Sequence, residues 1–109
     1  MSIINDSLKI INLCYNTNFI LMFFLIFILL MESRIDNELI AIGKRLHQLR
    51  KHRNLTQLDL EVASGVPNSD ISRIENGKKN IEVITLIKFS IALKVKLIEL
   101  FNYEGKLPK

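Results

Sequence analysis

The side chains best suited to chemistry lie on one face of a short predicted helix, about residues 68–75. At 100° per residue, four polar residues fall within about 50° of one pole: Ser69, Ser72, Arg73 and Asn76. Ile71 and Ile74 define the opposite, apolar side. A short helix with an apolar back and a hydrogen-bonding face is suited to reading base edges in the major groove of DNA. The simpler alternative is a solvated surface, and the residues before the helix favour the first interpretation.

A second short helix, about residues 56–63, precedes the polar-faced one. Thr56 and Asp59 are spaced as a capping box, in which the hydroxyl accepts from the third backbone N–H and the carboxylate favours the positive helix end. Gly65 follows where the chain must turn through positive φ, and Gly77 ends the polar-faced helix in the same way. A capped helix, a glycine turn and a polar-faced helix together predict a helix-turn-helix from Thr56 to Gly77.

An amphipathic segment precedes this motif and predicts the first helix of an all-α domain. Its apolar residues recur at steps of three and four: Ile35, Leu39, Ile42, Leu46 and Leu49. Its outer face is expected to carry the polar residues Lys44, Arg45, His47, Gln48, Lys51 and His52. Ser33 or Asp36 can cap its start, and Asn54 is expected to stop it.

The fourth helix, about residues 81–93, is apolar on two sides. One stripe is Val83, Leu86, Phe89 and Leu93, and the second is Ile84, Ile87 and Ile91. The second stripe either covers a fifth helix near residues 96–102 or packs against another chain. The tail, residues 104–109, is expected to be frayed.

Glu75 is an acidic residue on the inner flank of the polar-faced helix, about 40° from Ile71. A buried carboxylate without a partner would cost several kcal/mol, so it requires a cation. Arg50, near the end of the first helix, is the leading candidate because its planar fork suits bidentate pairing.

Size and composition limit the remaining possibilities. The 109 residues allow one small domain, and the net charge of +4 suits nucleic acid or an anionic surface without proving either. Cys14 is the only cysteine, and His47 and His52 are spaced poorly for a shared metal. The sequence contains no Gly-rich phosphate loop and no catalytic constellation. We therefore expect no enzyme, no metal site and no cofactor.

Residues 1–31 form a hydrophobic leader outside the domain, which we place at residues 32–103. Phe19–Met31 is a run of 13 residues without a polar side chain, and a membrane-spanning helix needs about 20. Three interpretations remain open: an over-long start with Met31 as the true first residue, a membrane anchor at residues 12–31, and a segment that packs on the domain or a partner. The expected location of the domain is the cytoplasm, or the cytoplasmic face of a membrane if the leader anchors it.

The domain resembles the lambda-repressor-like, Cro/XRE-type helix-turn-helix family over about residues 40–102. The matching motifs are Ile42-Gly43-x-Arg45-Leu46, Leu49-Arg50, Leu55-Thr56-Gln57-x-x-Leu60, Gly65-Val66, Ile71-Ser72-Arg73-Ile74-Glu75-Asn76-Gly77-Lys78 and Leu97-x-x-Leu100-Phe101. The resemblance implies a compact five-helix domain that binds double-stranded DNA as a two-fold homodimer, with the second helix of the motif in the major groove. It also implies the Arg50–Glu75 pair.

The resemblance assigns roles by position. Asn68, Ser69 and Arg73 would face bases, with Ser72 on the same face. Gln57, Asn76 and Lys78 would bind phosphate. The chain departs from the family pattern where Pro67 replaces a capping Ser or Thr and where Glu61 replaces a close-packed Ala. Further departures are Asp70, Ile81 in place of a frequent Pro, and Lys94 in place of a frequent Gly.

The function expected from these features is sequence-specific transcriptional regulation without catalysis, most simply repression. Two alternatives come from other classes of protein. A membrane-tethered regulator would use residues 12–31 as its anchor. An antitoxin-like interaction module would use Ile84, Ile87 and Ile91 to bind a toxin.

Overall fold

The computed structural model describes residues 19–109, and every regular element in that range is helical. The elements are α1 Phe19–His52, α2 Gln57–Ser64, α3 Asn68–Glu75, α4 Val83–Leu93 and a 3₁₀-helix Leu97–Phe101. The prediction of an all-α domain is confirmed, with a 3₁₀-helix as the last of the predicted helices. The predictions that concern residues 1–18, including Cys14 and the first part of the membrane window, lie outside the described residues.

The start of α1 differs from the prediction. The helix begins at Phe19 and continues to His52, so Ser33 and Asp36 lie inside it and cap nothing. Residues 19–35 contain no Gly or Pro, and a helix that has formed propagates by one hydrogen bond per residue fixed. A polar residue with moderate helix propensity is too weak a signal to end it.

The chain divides into two compact units, with the boundary between Ile35 and Asp36. The described part of the first unit is the helix over residues 19–35, whose large apolar side chains are mostly exposed. Phe19 and Phe23 lie edge to face there, with ring centroids 4.8 Å apart. No helix among residues 19–109 has the length and apolar character that crossing a bilayer requires.

The second unit, Asp36–Lys109, contains the hydrophobic core. Each helix of this unit contributes its apolar face, and the buried residues are Leu46, Leu49, Leu60, Val66, Ile71, Ile74, Leu86, Phe89, Leu93 and Leu100. α2 packs against both α3 and α4, and the 3₁₀-helix packs against α4. The core therefore lies directly behind α2 and α3 and fixes their positions.

The predicted helix signals around α2 are present. Thr56 Oγ1 accepts from the Asp59 backbone N–H at 3.0 Å, and the Asp59 carboxylate accepts from the Thr56 N–H at 2.9 Å. These hydrogen bonds lower the pKa of Asp59. Gly65 ends the helix at φ 77°, a region that disfavours any side chain with a Cβ. Pro67 precedes α3 without a side-chain cap, and its carbonyl accepts the first helical hydrogen bonds.

Arg45 and the C-terminal tail are placed differently from the prediction. Arg45 is 1% exposed and does not lie on the outer face of α1. Its guanidinium donates to the carbonyl oxygen of Glu99 at 2.8 Å and to that of Gly105 at 3.2 Å, and it pairs with the Glu99 carboxylate. His52 Nε2 lies 2.5 Å from the carbonyl oxygen of Pro108. The tail is therefore held by α1 rather than frayed, because the Arg45 guanidinium donates to the carbonyl oxygens of residues 99, 105 and 106.

Candidate nucleic-acid interface

α3 has the two-sided character that its sequence predicts. Ile71 and Ile74 are buried in the core. Asn68, Ser69 and Arg73 are exposed, and Ser72 is half-buried. Among residues 19–109, these exposed side chains have no hydrogen-bond or ion-pair partner, so they are available to an incoming ligand.

The C-terminal end of α3 lies directly against α1. A Cβ on Gly43 would lie 2.8 Å from the Glu75 carbonyl oxygen and still closer to that of Ile74, which is too near for any side chain. Gly77 has φ 70°, and a Cβ there would lie 2.7 Å from Ile40 Cγ1. Sequence reasoning assigned no role to Gly43. A glycine inside an otherwise amphipathic helix was the signal that could have found this contact.

The partner of Glu75 is Arg50, the cation that the helix geometry indicated. Arg50 Nε lies 2.5 Å from Glu75 Oε1, and the second guanidinium nitrogen lies 3.1 Å from Oε2. The two side chains are 4% and 5% exposed. Arg50 also donates to the Leu55 carbonyl oxygen at 2.8 Å, which connects the end of α1 to the start of α2. This bidentate pair fixes α3 to the rest of the domain.

Two further side chains reach the same carboxylate. Gln57 Nε2 donates to Glu75 Oε2 at 3.0 Å, and His47 Nδ1 lies 3.1 Å from the same oxygen. Burial alone would raise the pKa of Glu75, but hydrogen bonds from Arg50, Gln57 and His47 hold it below its ordinary value. Sequence reasoning placed His47 on a solvated face and did not connect it with Glu75. No sequence signal pointed to this contact, because a half-exposed histidine does not require a partner as a buried carboxylate does.

The three residues predicted to bind phosphate lie near the two ends of the motif. Gln57 begins α2, with its amide on Glu75. Asn76 Nδ2 donates to the Ser72 carbonyl oxygen at 2.7 Å, and Lys78 is exposed just beyond it. An open groove of about 520 Å³ brings Gln57 and Asn76 together with residues of α1; its lining is Ile40, Lys44, His47, Gln48, Gln57, Glu75 and Asn76. Lys78 does not line this groove.

Asp70, a departure from the family pattern on α3, has a partner. Its carboxylate lies 2.7 Å from Lys79 Nζ, and both side chains are about one third exposed. The ion pair offsets the negative charge of Asp70 on α3.

The apolar stripe of α4 is uncovered in the single chain. Ile84, Ile87 and Ile91 are 63%, 41% and 71% exposed. The 3₁₀-helix packs against α4 but leaves all three isoleucines exposed. Within residues 19–109, no cluster of three or more His, Cys, Asp or Glu side chains is arranged to hold a metal ion.

The elements from Gln57 to Glu75 form a helix-turn-helix, and the comparisons with known proteins agree. The helix-turn-helix family model matches residues 46–100. The chain is 34% identical over 67 residues to the uncharacterized HTH-type transcriptional regulator y4dJ of Sinorhizobium fredii, a match that covers 62% of this chain and 87% of that protein. It is 40% identical over 70 residues to the HTH-type transcriptional repressor RghR of Bacillus subtilis, covering 63% of this chain but only 47% of RghR.

A solved structure shows the same fold. The restriction-modification controller protein C.AhdI from Aeromonas hydrophila is 32% identical, with a TM-score of 0.59 over 60% of this chain and 98% of that one. The chain belongs to the Cro/C1-type helix-turn-helix family, and as a member of it is a DNA-binding transcriptional regulator.

Proposed function

We propose that the protein is a sequence-specific repressor that binds duplex DNA as a two-fold dimer and places α3 in the major groove. One observation carries the proposal. The outer face of α3 presents polar side chains without partners, while Ile71, Ile74 and Glu75 fix the same helix from behind. A short, firmly held helix with free hydrogen-bonding groups is what reading base edges requires. Repression follows most simply from occluding a promoter.

The side chains divide into two groups by role. Arg73 is the principal discriminating residue, because an arginine paired with guanine O6 and N7 is the commonest specific contact. Asn68, Ser69 and Ser72 supply further contacts with bases. Phosphate contacts from Gln57, Asn76 and Lys78 supply affinity that depends little on sequence.

The test begins by selecting bound duplexes from a random library with the full chain, which yields the preferred half-site. Arg73→Ala is then expected to lower discrimination between the selected and a random duplex by about 1–3 kcal/mol. Lys78→Ala is expected to weaken both duplexes alike and to reduce the salt slope of binding by about one. Equal losses on both duplexes in both variants would contradict the assigned roles.

The dimer contact is proposed at Ile84, Ile87 and Ile91, the exposed stripe of α4. A two-fold dimer predicts half-sites about 34 Å apart, or a multiple of that distance. Sedimentation of Ile91→Asp is expected to show a shift to monomer. Val62→Asp is the matched control, because Val62 is 82% exposed on α2 and outside the stripe. If Ile91→Asp remains dimeric, the dimer contact lies elsewhere. If the stripe binds only a different polypeptide, the antitoxin alternative is favoured.

A further inference from the structure

His47 stands at the edge of the groove beside Glu75 and belongs to none of the roles assigned so far. Its side chain is 51% exposed, whereas the Glu75 side chain that it contacts is 5% exposed. One edge of the imidazole therefore touches a buried carboxylate while much of the ring is open to solvent. The groove that it lines also contains Lys44 and Gln57.

The two contacts of His47 Nδ1 make opposite demands on that nitrogen. It lies 3.1 Å from Glu75 Oε2, which only accepts, and 3.2 Å from a guanidinium nitrogen of Arg50, which only donates. A proton on Nδ1 satisfies the carboxylate, and a lone pair satisfies the guanidinium. When both imidazole nitrogens are protonated, Nδ1–H donates to Glu75 and Nε2–H is a second, charged donor.

The charges around His47 favour an additional anion in the groove. α1 contributes Lys44 and Arg50, α3 contributes Glu75, and α2 contributes the uncharged amide of Gln57. With His47 protonated, three cationic groups and one carboxylate lie in or beside the groove. Gln57 is oriented with Nε2 on Glu75, which leaves its second amide hydrogen available on the groove side. A phosphate oxygen in the groove would accept from this amide hydrogen and from the Nε2–H of His47, and its charge would offset the excess positive charge.

We propose that protonated His47 is a ligand of the DNA backbone, so that DNA binding takes up one proton. The proposal rests on the proposed function and adds a pH-dependent phosphate contact to it. Because a backbone phosphate favours the imidazolium form, the affinity for DNA rises as the pH falls through the range in which histidines ordinarily titrate, about pH 5 to 8. One linked proton limits the increase to about tenfold per pH unit.

The experiment measures the dissociation constant of the full chain for its selected duplex by fluorescence anisotropy, from pH 5.5 to 8.5 at fixed ionic strength. His47→Gln retains a hydrogen-bonding side chain and removes the ionisable imidazole. His52→Gln is the matched control, because His52 lies on the same helix but contacts the Pro108 carbonyl oxygen. The wild type and His52→Gln are expected to bind more tightly as the pH falls, and His47→Gln is expected to lose most of that dependence.

The salt slope separates a phosphate contact from a merely structural role. At pH 6 the slope of the wild type is expected to exceed that of His47→Gln by about one, and at pH 8.5 the two slopes should agree. His47→Lys, with a fixed charge, should bind tightly over the whole range. Urea titration shows whether His47→Gln is folded. If it is not, the imidazole NMR resonances of the wild type, recorded with and without DNA, report the same proton uptake.

The possible failures are distinguishable. If the wild type binds duplex DNA with the same pH dependence as His47→Gln, the phosphate role of His47 is wrong and the proposed function stands. If the wild type binds no duplex at any pH, the proposed function itself is wrong.

Discussion

Replacement of Glu75 by Gln tests the joint that fixes α3. The substitution leaves the Arg50 guanidinium, 4% exposed, with the Leu55 carbonyl oxygen but without a carboxylate. Removing one partner of a buried ion pair costs about 3–5 kcal/mol. A Gln oxygen can still accept one of the hydrogen bonds, so we expect the lower end, about 3 kcal/mol. That is a large fraction of the free energy of unfolding of a small domain.

The measurement is urea denaturation of the full chain, followed by far-UV circular dichroism at pH 7. Arg50→Met, Glu75→Met and the double variant complete a double-mutant cycle. Each single variant leaves one buried charged group without its partner, whereas the double variant replaces the pair with apolar side chains of similar volume. We expect the double variant to be within about 1 kcal/mol of the wild type or more stable. Additive losses, with no coupling between the two positions, would refute the reasoning.

The same carboxylate gives the domain a pH dependence of known sign. Because the pKa of Glu75 is lower in the folded than in the unfolded chain, its contribution is present above the unfolded value and is lost as the pH falls through the folded value. Glu75→Gln should therefore unfold with a weaker dependence on pH in the acid range. An unchanged acid dependence would show that other carboxylates dominate it.

Three further substitutions test separate contacts. Gly43→Ala should lower the free energy of unfolding by about 1–3 kcal/mol despite the better helix propensity of Ala, because the methyl group meets the Ile74 carbonyl; a raised urea midpoint would contradict the close approach. Lys94→Gly should raise stability by about 0.5–1 kcal/mol, because Lys94 has φ 56° and only Gly adopts that region without strain; an unchanged or lower urea midpoint would contradict it. Asp70→Asn should release Lys79 and strengthen binding to selected and random duplexes alike, with a salt slope larger by about one; a gain on the selected duplex alone would contradict it.

The features that could be predicted from the sequence depend on few or local interactions. The Thr56 cap and the Gly65 turn involve residues close together in the chain, so spacing alone predicts them. The Arg50–Glu75 pair joins two helices, but it was predictable because a buried carboxylate needs a cation and Arg50 was the leading candidate.

The features that were not predictable depend on segments far apart in the sequence. The burial of Arg45 is determined by carbonyl groups near residues 99 and 105, and no helical periodicity reports on these. The contact of His47 with Glu75 likewise depends on how closely α1 approaches α3, which Gly43 determines. The start of α1 at Phe19 was missed for a different reason, since weak cap signals do not end a helix without a helix breaker.

The proposed function assigns discrimination between bases to Arg73 and phosphate affinity to Lys78. Different contacts with α1 hold the backbone near these two residues. Arg73 lies in the last turn of α3, and the pairing of Glu75 with Arg50 limits how far that turn can move. Lys78 follows Gly77, whose backbone rests on Ile40. A base contact tolerates little displacement, whereas a charged side chain can reach a phosphate from many positions. Rigidity therefore matters more for Arg73 than for Lys78. The buried ion pair accordingly lies at the end of α3 that carries Arg73, the arginine proposed to discriminate between bases.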